Sequence, residues 1–342
     1  MSTTHALTLP AEFRDWLLEA GFAPADQPLA AEPLTGGVSS DIWRVDLPSG
    51  SHCVKRALPR LKVKAIWEAP VARNAHEAAW LRQVNCIDPR FAPRCIANDE
   101  HRGMLLMPFL PPEQYRSWKT QLARGEARES DAHEVGRRLA TIHACAALEP
   151  TLAPRFDHTP LFEAIRIEPY LLATARRHPD LSEHLLTLAE QTRRQRHTLI
   201  HGDVSPKNIL IGPEGPVLLD AECAWWGDPA FDAAFCLNHL LLKRLWAPEH
   251  GGLHAASFSA WIEGYRQGLA EQGGGWEAWP ALERRVAGLL PALALARVDG
   301  KSPVEYLTQP WQIERVRTLA RSALITRAMN LDDINRQWSI AS

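Results

Sequence analysis

Between two short apolar runs, Leu199-Ile200 and Ile209-Leu210-Ile211, lies the segment His201-Gly202-Asp203-Val204-Ser205-Pro206-Lys207-Asn208. Pro213-Glu214-Gly215 reads as a hairpin turn, and a third apolar run, Val217-Leu218-Leu219, leads into Asp220-Ala221-Glu222. Laying these strands side by side brings Asp203, Asn208 and Asp220 to strand ends and to the loop between them. Two carboxylates and an amide then share one place. Phosphoryl transfer needs that set: one carboxylate to orient an attacking hydroxyl and take its proton, another carboxylate and an amide oxygen to hold a metal on the phosphates. Hard oxygen ligands suit Mg²⁺, which usually keeps several waters and shares phosphate oxygens.

The H-x-D-x-x-x-x-N spacing followed by D-x-E resembles the protein-kinase-like superfamily. The continuation Trp226-Gly227-Asp228-Pro229-Ala230-Phe231-Asp232 resembles the aminoglycoside phosphotransferase family in particular, a group that also holds choline, homoserine, methylthioribose and fructosamine-kinase-like enzymes. The resemblance covers roughly residues 30–245 and is less diagnostic beyond them. It implies an α+β, bilobal protein-kinase-like fold with a small β-rich N-lobe and a larger, mainly helical C-lobe. The lobes are expected at 1–110, for the nucleotide, and 111–342, for catalysis and the acceptor. ATP and Mg²⁺ are the implied cofactors, and a small-molecule alcohol is the implied substrate. By the same resemblance Asp203 is the catalytic base, Asn208 and Asp220 bind metal, and His201 holds the loop by hydrogen bonds. Asp232 is expected to pin the helix that follows it. Glu222 is read either as lining the metal site or as supporting it from behind.

The N-terminal region fits the same pattern. Thr35-Gly36-Gly37-Val38-Ser39-Ser40 falls where a phosphate-covering loop belongs, so Gly36, Gly37 and Ser39 are candidate nucleotide contacts. The loop lacks a full G-x-G-x-x-G, and by itself reads as an ordinary turn. A hairpin follows, Ile42–Leu47 and His52–Lys55 around Pro48-Ser49-Gly50, and it carries Lys55 as the phosphate-pairing lysine. Glu77, on a helix expected over Val71–Val84 with Ala72, Ala75, Ala79 and Leu81 as its apolar support, is the candidate partner that orients Lys55. Met104–Leu110, an apolar strand meeting a proline, would be the linker whose backbone near Met107 reads the adenine edge. An amphipathic helix over residues 11–21 carries Phe13, Trp16, Leu17 and Ala20.

Ala247-Pro248-Glu249 imitates the end of a protein-kinase activation segment. The preceding Phe231–Leu245 reads instead as an apolar amphipathic helix, with no polar loop to phosphorylate. Gly202 also stands where protein kinases carry an Arg. A protein substrate is therefore not expected.

The acceptor is less legible. Trp225-Trp226 is read either as a platform for a planar ring or an ammonium group, or as core packing. Arg297, Asp299 and Lys301 lie in a polar stretch that reads either as reaching the cleft or as a helix connection, with Ser302-Pro303 starting the next helix. Lys207 is read either as neutralising the transferred phosphate or as an outward loop lysine. With 38 basic and 40 acidic residues the chain has no broad basic field, so nucleic acid is not an expected partner. No stretch offers the roughly 18 uninterrupted apolar residues of a membrane helix, and no signal peptide is apparent, so a cytoplasmic protein is expected. The six scattered cysteines are read as reduced, buried thiols. The alternative to an enzyme is a catalytically dead nucleotide-binding module. Loss of the base or of a metal ligand would mark one, and all of these residues are present.

Overall fold

The computed structural model describes residues 8–24, 28–34, 40–59, 70–327 and 330–339, and the chain divides into two compact units, Met1–Pro111 and Pro112–Ser342. The first holds α1 (Ala11–Glu19), β1 (Ala31–Pro33), β2 (Ser40–Leu47), β3 (Gly50–Ala57), α2 (Arg73–Ile87), β4 (Ala97–Asp99) and β5 (Met104–Pro108). Its strands form one antiparallel sheet in the order β1-β2-β3-β5-β4. Phe13, Trp16 and Leu17 of α1 are buried with Val45, Val54 and Leu106 of the sheet. Ala20, expected on that face, lies past the helix end and is exposed. In α2 the buried apolar residues are Ala78, Trp80, Leu81 and Val84, whereas Ala72 is exposed and Ala75 and Ala79 are half-buried. The alanines were a weak guide because they contribute little apolar area. The larger Trp80 and Val84 set the buried stripe.

The second unit opens with β6 (Arg116–Ser117), α3 (Trp118–Arg124), α4 (Glu129–Ala147) and α5 (Thr159–Phe162). A π-helical stretch, Glu163–Leu172, continues into α6 (Ala173–Arg177), followed by α7 (Ser182–Arg194). Then come β7 (Thr198–Ile200), β8 (Ile209–Gly212), β9 (Gly215–Leu218), β10 (Trp225–Gly227), α8 (Pro229–Trp246), α9 (Gly251–Glu271), α10 (Trp279–Asp299), α11 (Pro310–Thr326) and α12 (Leu331–Gln337). A mixed α+β chain with a small antiparallel sheet and a helical remainder is thus the observed class, as expected.

Helix α8 departs from its amphipathic reading. Every residue from Pro229 to Leu245 is buried, so it is the central helix of its unit, walled on several sides by α9, α10 and α11. Such a helix has no solvent face for polar residues to mark. Its start is sharp because Asp228 accepts a hydrogen bond from the Ala230 N–H at 3.0 Å, and Pro229 occupies the first turn. Ala247, the first residue of the A-P-E, caps its end. Helices α4 and α9 pack with their backbones nearly touching. A Cβ at Gly264 would lie 1.9 Å from the His133 carbonyl oxygen, and one at Gly136 would lie 2.1 Å from that of Trp261.

Among the described residues no helix is long and apolar enough to cross a membrane. All six cysteines are free, but only Cys223 and Cys236 are buried and Cys86 is exposed, so the expectation of uniformly buried thiols fails.

Candidate active site

Two strand pairs build the site in the larger unit. β7 pairs antiparallel with β10, placing Ile200 opposite Trp225, and β8 pairs with β9 in a tight hairpin. The loop His201–Asn208 leaves β7 and enters β8. The segment after β9 carries Asp220 and returns to β10. The Leu219 N–H donates to the Asn208 carbonyl at 2.9 Å, which ties the two segments together.

Gly202 has φ +77°, and a Cβ there would lie 2.5 Å from the Cys223 carbonyl oxygen. Only glycine fits such a turn without displacing backbone. His201 is buried. Its Nδ1 accepts from the Asp203 N–H at 3.1 Å, which puts the ring proton on Nε2, and that donates to the Leu219 carbonyl at 2.9 Å. Burial pushes its pKa below the usual histidine value despite nearby Asp232 and Asp203, so a neutral ring fits both bonds.

Asp232 acts on the loop before it, rather than pinning its own helix. Oδ2 accepts the His201 N–H and Oδ1 the Gly202 N–H, each at 2.7 Å. Oδ2 also accepts from His143 Nε2 at 3.1 Å, and Tyr265 O–H donates to His143 Nδ1 at 2.7 Å. One buried carboxylate on α8 therefore holds the backbone immediately before Asp203.

Three donors converge on Oδ2 of Asp203, itself 7% exposed: Asn208 Nδ2 at 2.9 Å, Arg166 Nη2 at 3.2 Å and Lys207 Nζ at 3.5 Å. Asn208 Nδ2 also donates to the Asp203 carbonyl at 3.0 Å, which turns its amide oxygen to the opposite side. The Lys207 side chain is 48% exposed, and Asp203 raises its pKa. Asp220 sits at φ +65°, a left-handed conformation that Asp tolerates better than most residues but that still stores strain. Glu222 is buried beside it.

Arg166 was not recognised from the sequence. It comes from the π-helical stretch. Pro169 has no N–H to offer the Ile165 carbonyl, and Arg166 Nη1 donates to that oxygen at 2.7 Å. Arg166 Nε donates to the Gly202 carbonyl. A proline inside an apolar helix beside an arginine was the available signal, but nothing local told where the guanidinium would go.

In the smaller unit Lys55 lies on β3 opposite Ile42 of β2 and Leu105 of β5. Its Nζ is 2.7 Å from Glu77 Oε2 of α2, with the side chains 4% and 2% exposed. Met107 pairs with Cys53 and is buried. Gly36, Gly37 and Ser39 lie outside the described residues.

Trp225, Trp226, Asp299 and Lys301 resolve into structural roles. Trp225 stacks on Phe162 with centroids 4.4 Å apart and donates to Thr159 Oγ1; Trp226 donates to the Arg196 carbonyl. Both are buried, so the core reading holds and the platform reading falls. Asp299 binds Arg317 and His178, and Lys301 pairs with Glu168. The next helix begins at Pro310, not at Ser302-Pro303.

The residues present fit a divalent cation. Among the described residues no group of three or more His, Cys, Asp or Glu side chains could hold a metal. The donors on offer are the amide oxygen of Asn208 and the carboxylate of Asp220, a pair of the kind Mg²⁺ takes when phosphate and water complete its shell.

The profile of the APH phosphotransferase enzyme family matches residues 30–303, well past the region where the resemblance was expected to fade. No curated protein matches the sequence. Solved structures share the fold. A choline/ethanolamine kinase family protein from Mesorhizobium loti is 17% identical, with a TM-score of 0.56, over 96% of this chain and 99% of its own. An amicoumacin kinase in complex with AMP-PNP, Ca²⁺ and Ami is 13% identical, with a TM-score of 0.59, over 94% and 96%. A spectinomycin phosphotransferase in complex with ADP and spectinomycin is 12% identical, with a TM-score of 0.51, over 97% and 98%.

Proposed function

The chain belongs to the phosphotransferase enzyme family, and from that premise we propose that it moves the γ-phosphoryl group of ATP onto a hydroxyl of a small molecule, with Asp203 as the base. The observation that carries this reading is the arrangement around Asp203. Its Oδ2 is committed to Asn208, Arg166 and Lys207. Oδ1 is then the oxygen on which an acceptor hydroxyl can place its hydrogen bond. The hydroxyl oxygen forms the new bond to phosphorus, the bond to the β-phosphate oxygen breaks, and the hydroxyl proton passes to Asp203.

Asn208 and Asp220 would hold Mg²⁺, which neutralises phosphate charge when bound. Lys207, beside Asp203 and half-exposed, is assigned to the transferring group. In the smaller unit Lys55, oriented by Glu77, is assigned to the nucleotide phosphates, and the backbone near Met107 to the adenine edge. Gly36, Gly37 and Ser39 are proposed contacts on the same side. Units 1–110 and 111–342 divide the work between nucleotide and acceptor, and the cytoplasm is the proposed location.

The test is ADP release from Mg·ATP over a panel of neutral, cationic and anionic alcohols, with Asp203→Asn as the blank. Acceptor-dependent release above that blank is expected. Mg·ATP binding with no acceptor-dependent turnover anywhere in the panel would sink the reading.

The backbone at Asp220 yields a separate prediction. Asp220→Gly and Asp220→Ala are both expected to lose Mg²⁺-dependent activity. Glycine relaxes at φ +65° and alanine does not, so the Gly variant should be the more stable by about 1 kcal/mol in urea unfolding. Equal stabilities would discard the strain account.

A further inference from the structure

In the larger unit, buried cations and unpaired donors gather beside the catalytic loop. Arg297 of α10 is 9% exposed, and its Nη1 donates to the Ser302 carbonyl at 2.5 Å, to the Tyr170 hydroxyl oxygen at 2.9 Å and to Ser302 Oγ at 3.0 Å, all neutral acceptors. Its Nε has no hydrogen-bond partner among the described residues. Lys243 of α8 is 1% exposed, and its Nζ also lacks a hydrogen-bond partner; it lies 3.9 Å from the Tyr306 ring centroid and 4.0 Å from that of Trp246. His239, one turn before Lys243, is 6% exposed. Its Nδ1 is 3.0 Å from Tyr306 O–H. With that hydroxyl donating, the ring proton sits on Nε2, which has no hydrogen-bond partner among the described residues.

These groups are continuous with the catalytic loop. The Arg166 guanidinium that pairs with Asp203 lies 5.8 Å from the Tyr170 ring centroid, and Arg297 lies 5.6 Å from the same centroid. Phe235 bridges Tyr170 and His239 at 5.5 and 5.6 Å. The acidic Glu305 is taken by Lys119, so neither Arg297 nor Lys243 has a carboxylate partner among the described residues.

A buried cation without a counter-charge is costly, and a folded chain normally pairs it or neutralises it. Burial pulls Lys243 down to about 7, with Lys119 adding repulsion and Glu305 opposing it. An arriving anion would restore its charge. Cationic acceptors such as amino alcohols or polyamines would meet repulsion here.

We propose that the acceptor is a hydroxyl compound carrying a carboxylate, and that this carboxylate is held by Arg297, Lys243 and the Nε2–H of His239. The inference rests on the phosphotransferase reading above and narrows its substrate class.

The test compares matched alcohols on the wild-type protein: glycerate with glycerol, 4-hydroxybutyrate with 1,4-butanediol, gluconate with sorbitol. Choline, spectinomycin and glycerol 3-phosphate serve as the cationic and phosphate arms. At least one carboxylate should exceed its neutral partner by roughly 100-fold in kcat/KM. Lys243→Met should erase most of that preference through KM, with kcat at saturation changed far less. The same substitution removes an unpaired buried cation, so its Tm at pH 6–7 is expected to rise by several degrees. Preference for a neutral, cationic or phosphate-bearing alcohol overturns the proposal while leaving the phosphotransferase reading intact. So does a carboxylate preference unchanged in folded Lys243→Met. If no alcohol of any class is phosphorylated, the phosphotransferase reading fails and the carboxylate site falls with it.

Discussion

Asp203→Asn is expected to lower kcat for acceptor phosphorylation by roughly 10²–10⁴-fold, the usual contribution of a positioned general base. The substitution is nearly isosteric. An amide oxygen at the position of Oδ2 can still accept from Asn208, whose Nδ2 lies 2.9 Å away. What it cannot do is accept the hydroxyl proton, because an amide is not a base in this range. Affinity for Mg·ATP should stay within a few-fold, since the proposed nucleotide and metal contacts are other residues. Single-turnover kinetics with nucleotide binding measured in parallel separates the two effects. Near-wild-type kcat would remove Asp203 from the base role. A collapse of nucleotide binding together with kcat would mean that it acts mainly on the nucleotide side. Arg166 and Lys207 lose their counter-charge in this variant, so its unfolding curve belongs beside the kinetics.

The second large effect is expected at Asp232, which touches no reactant in the proposed mechanism. Its two oxygens accept three hydrogen bonds in a fully buried setting, two from loop backbone N–H groups and one from His143. Asp232→Asn keeps one accepting oxygen and turns an NH₂ group towards a donor. Leaving charged, buried hydrogen bonds broken in this way costs about 3–5 kcal/mol. For a chain of this length that corresponds to a fall in Tm of roughly 4–7 °C. Whatever folded protein remains should show reduced kcat, because the backbone before Asp203 has lost its anchor. Urea unfolding checks the first part and acceptor kinetics the second. A stability loss below about 1 kcal/mol would show that the loop is held mainly by His201 and Arg166.

The two predictions differ in how visible their residues were. Asp203, Asn208 and Asp220 stand within one short stretch, and their spacing around a hairpin was enough to place them together. Local geometry decides that outcome for Asn208 and Asp220: β8 and β9, four residues each, are joined by a tight turn that leaves few alternatives for the segments at their open ends. Asp232 was also visible as part of the G-D-P-x-x-D run, but its target was misjudged. Its direction depends on how α8 sits against β7, and that is a packing result.

Residue type and spacing alone determined the strand–loop–strand centre and the lysine-bearing hairpin, while the small sheet and the helical remainder followed from the family resemblance those motifs carry. The first two follow from short-range backbone preference and from apolar periodicity. Tertiary structure decided the rest. It turned Trp225 and Trp226 inward, made α8 a buried axis, and brought Arg166 from a proline-distorted helix onto Asp203. It also gathered Arg297, Lys243 and His239 from separate positions on α8 and α10. Side chains far apart in the chain meet only when helices pack, and the direction of each is then set by which neighbours fill the space around it. No window of sequence contains that information.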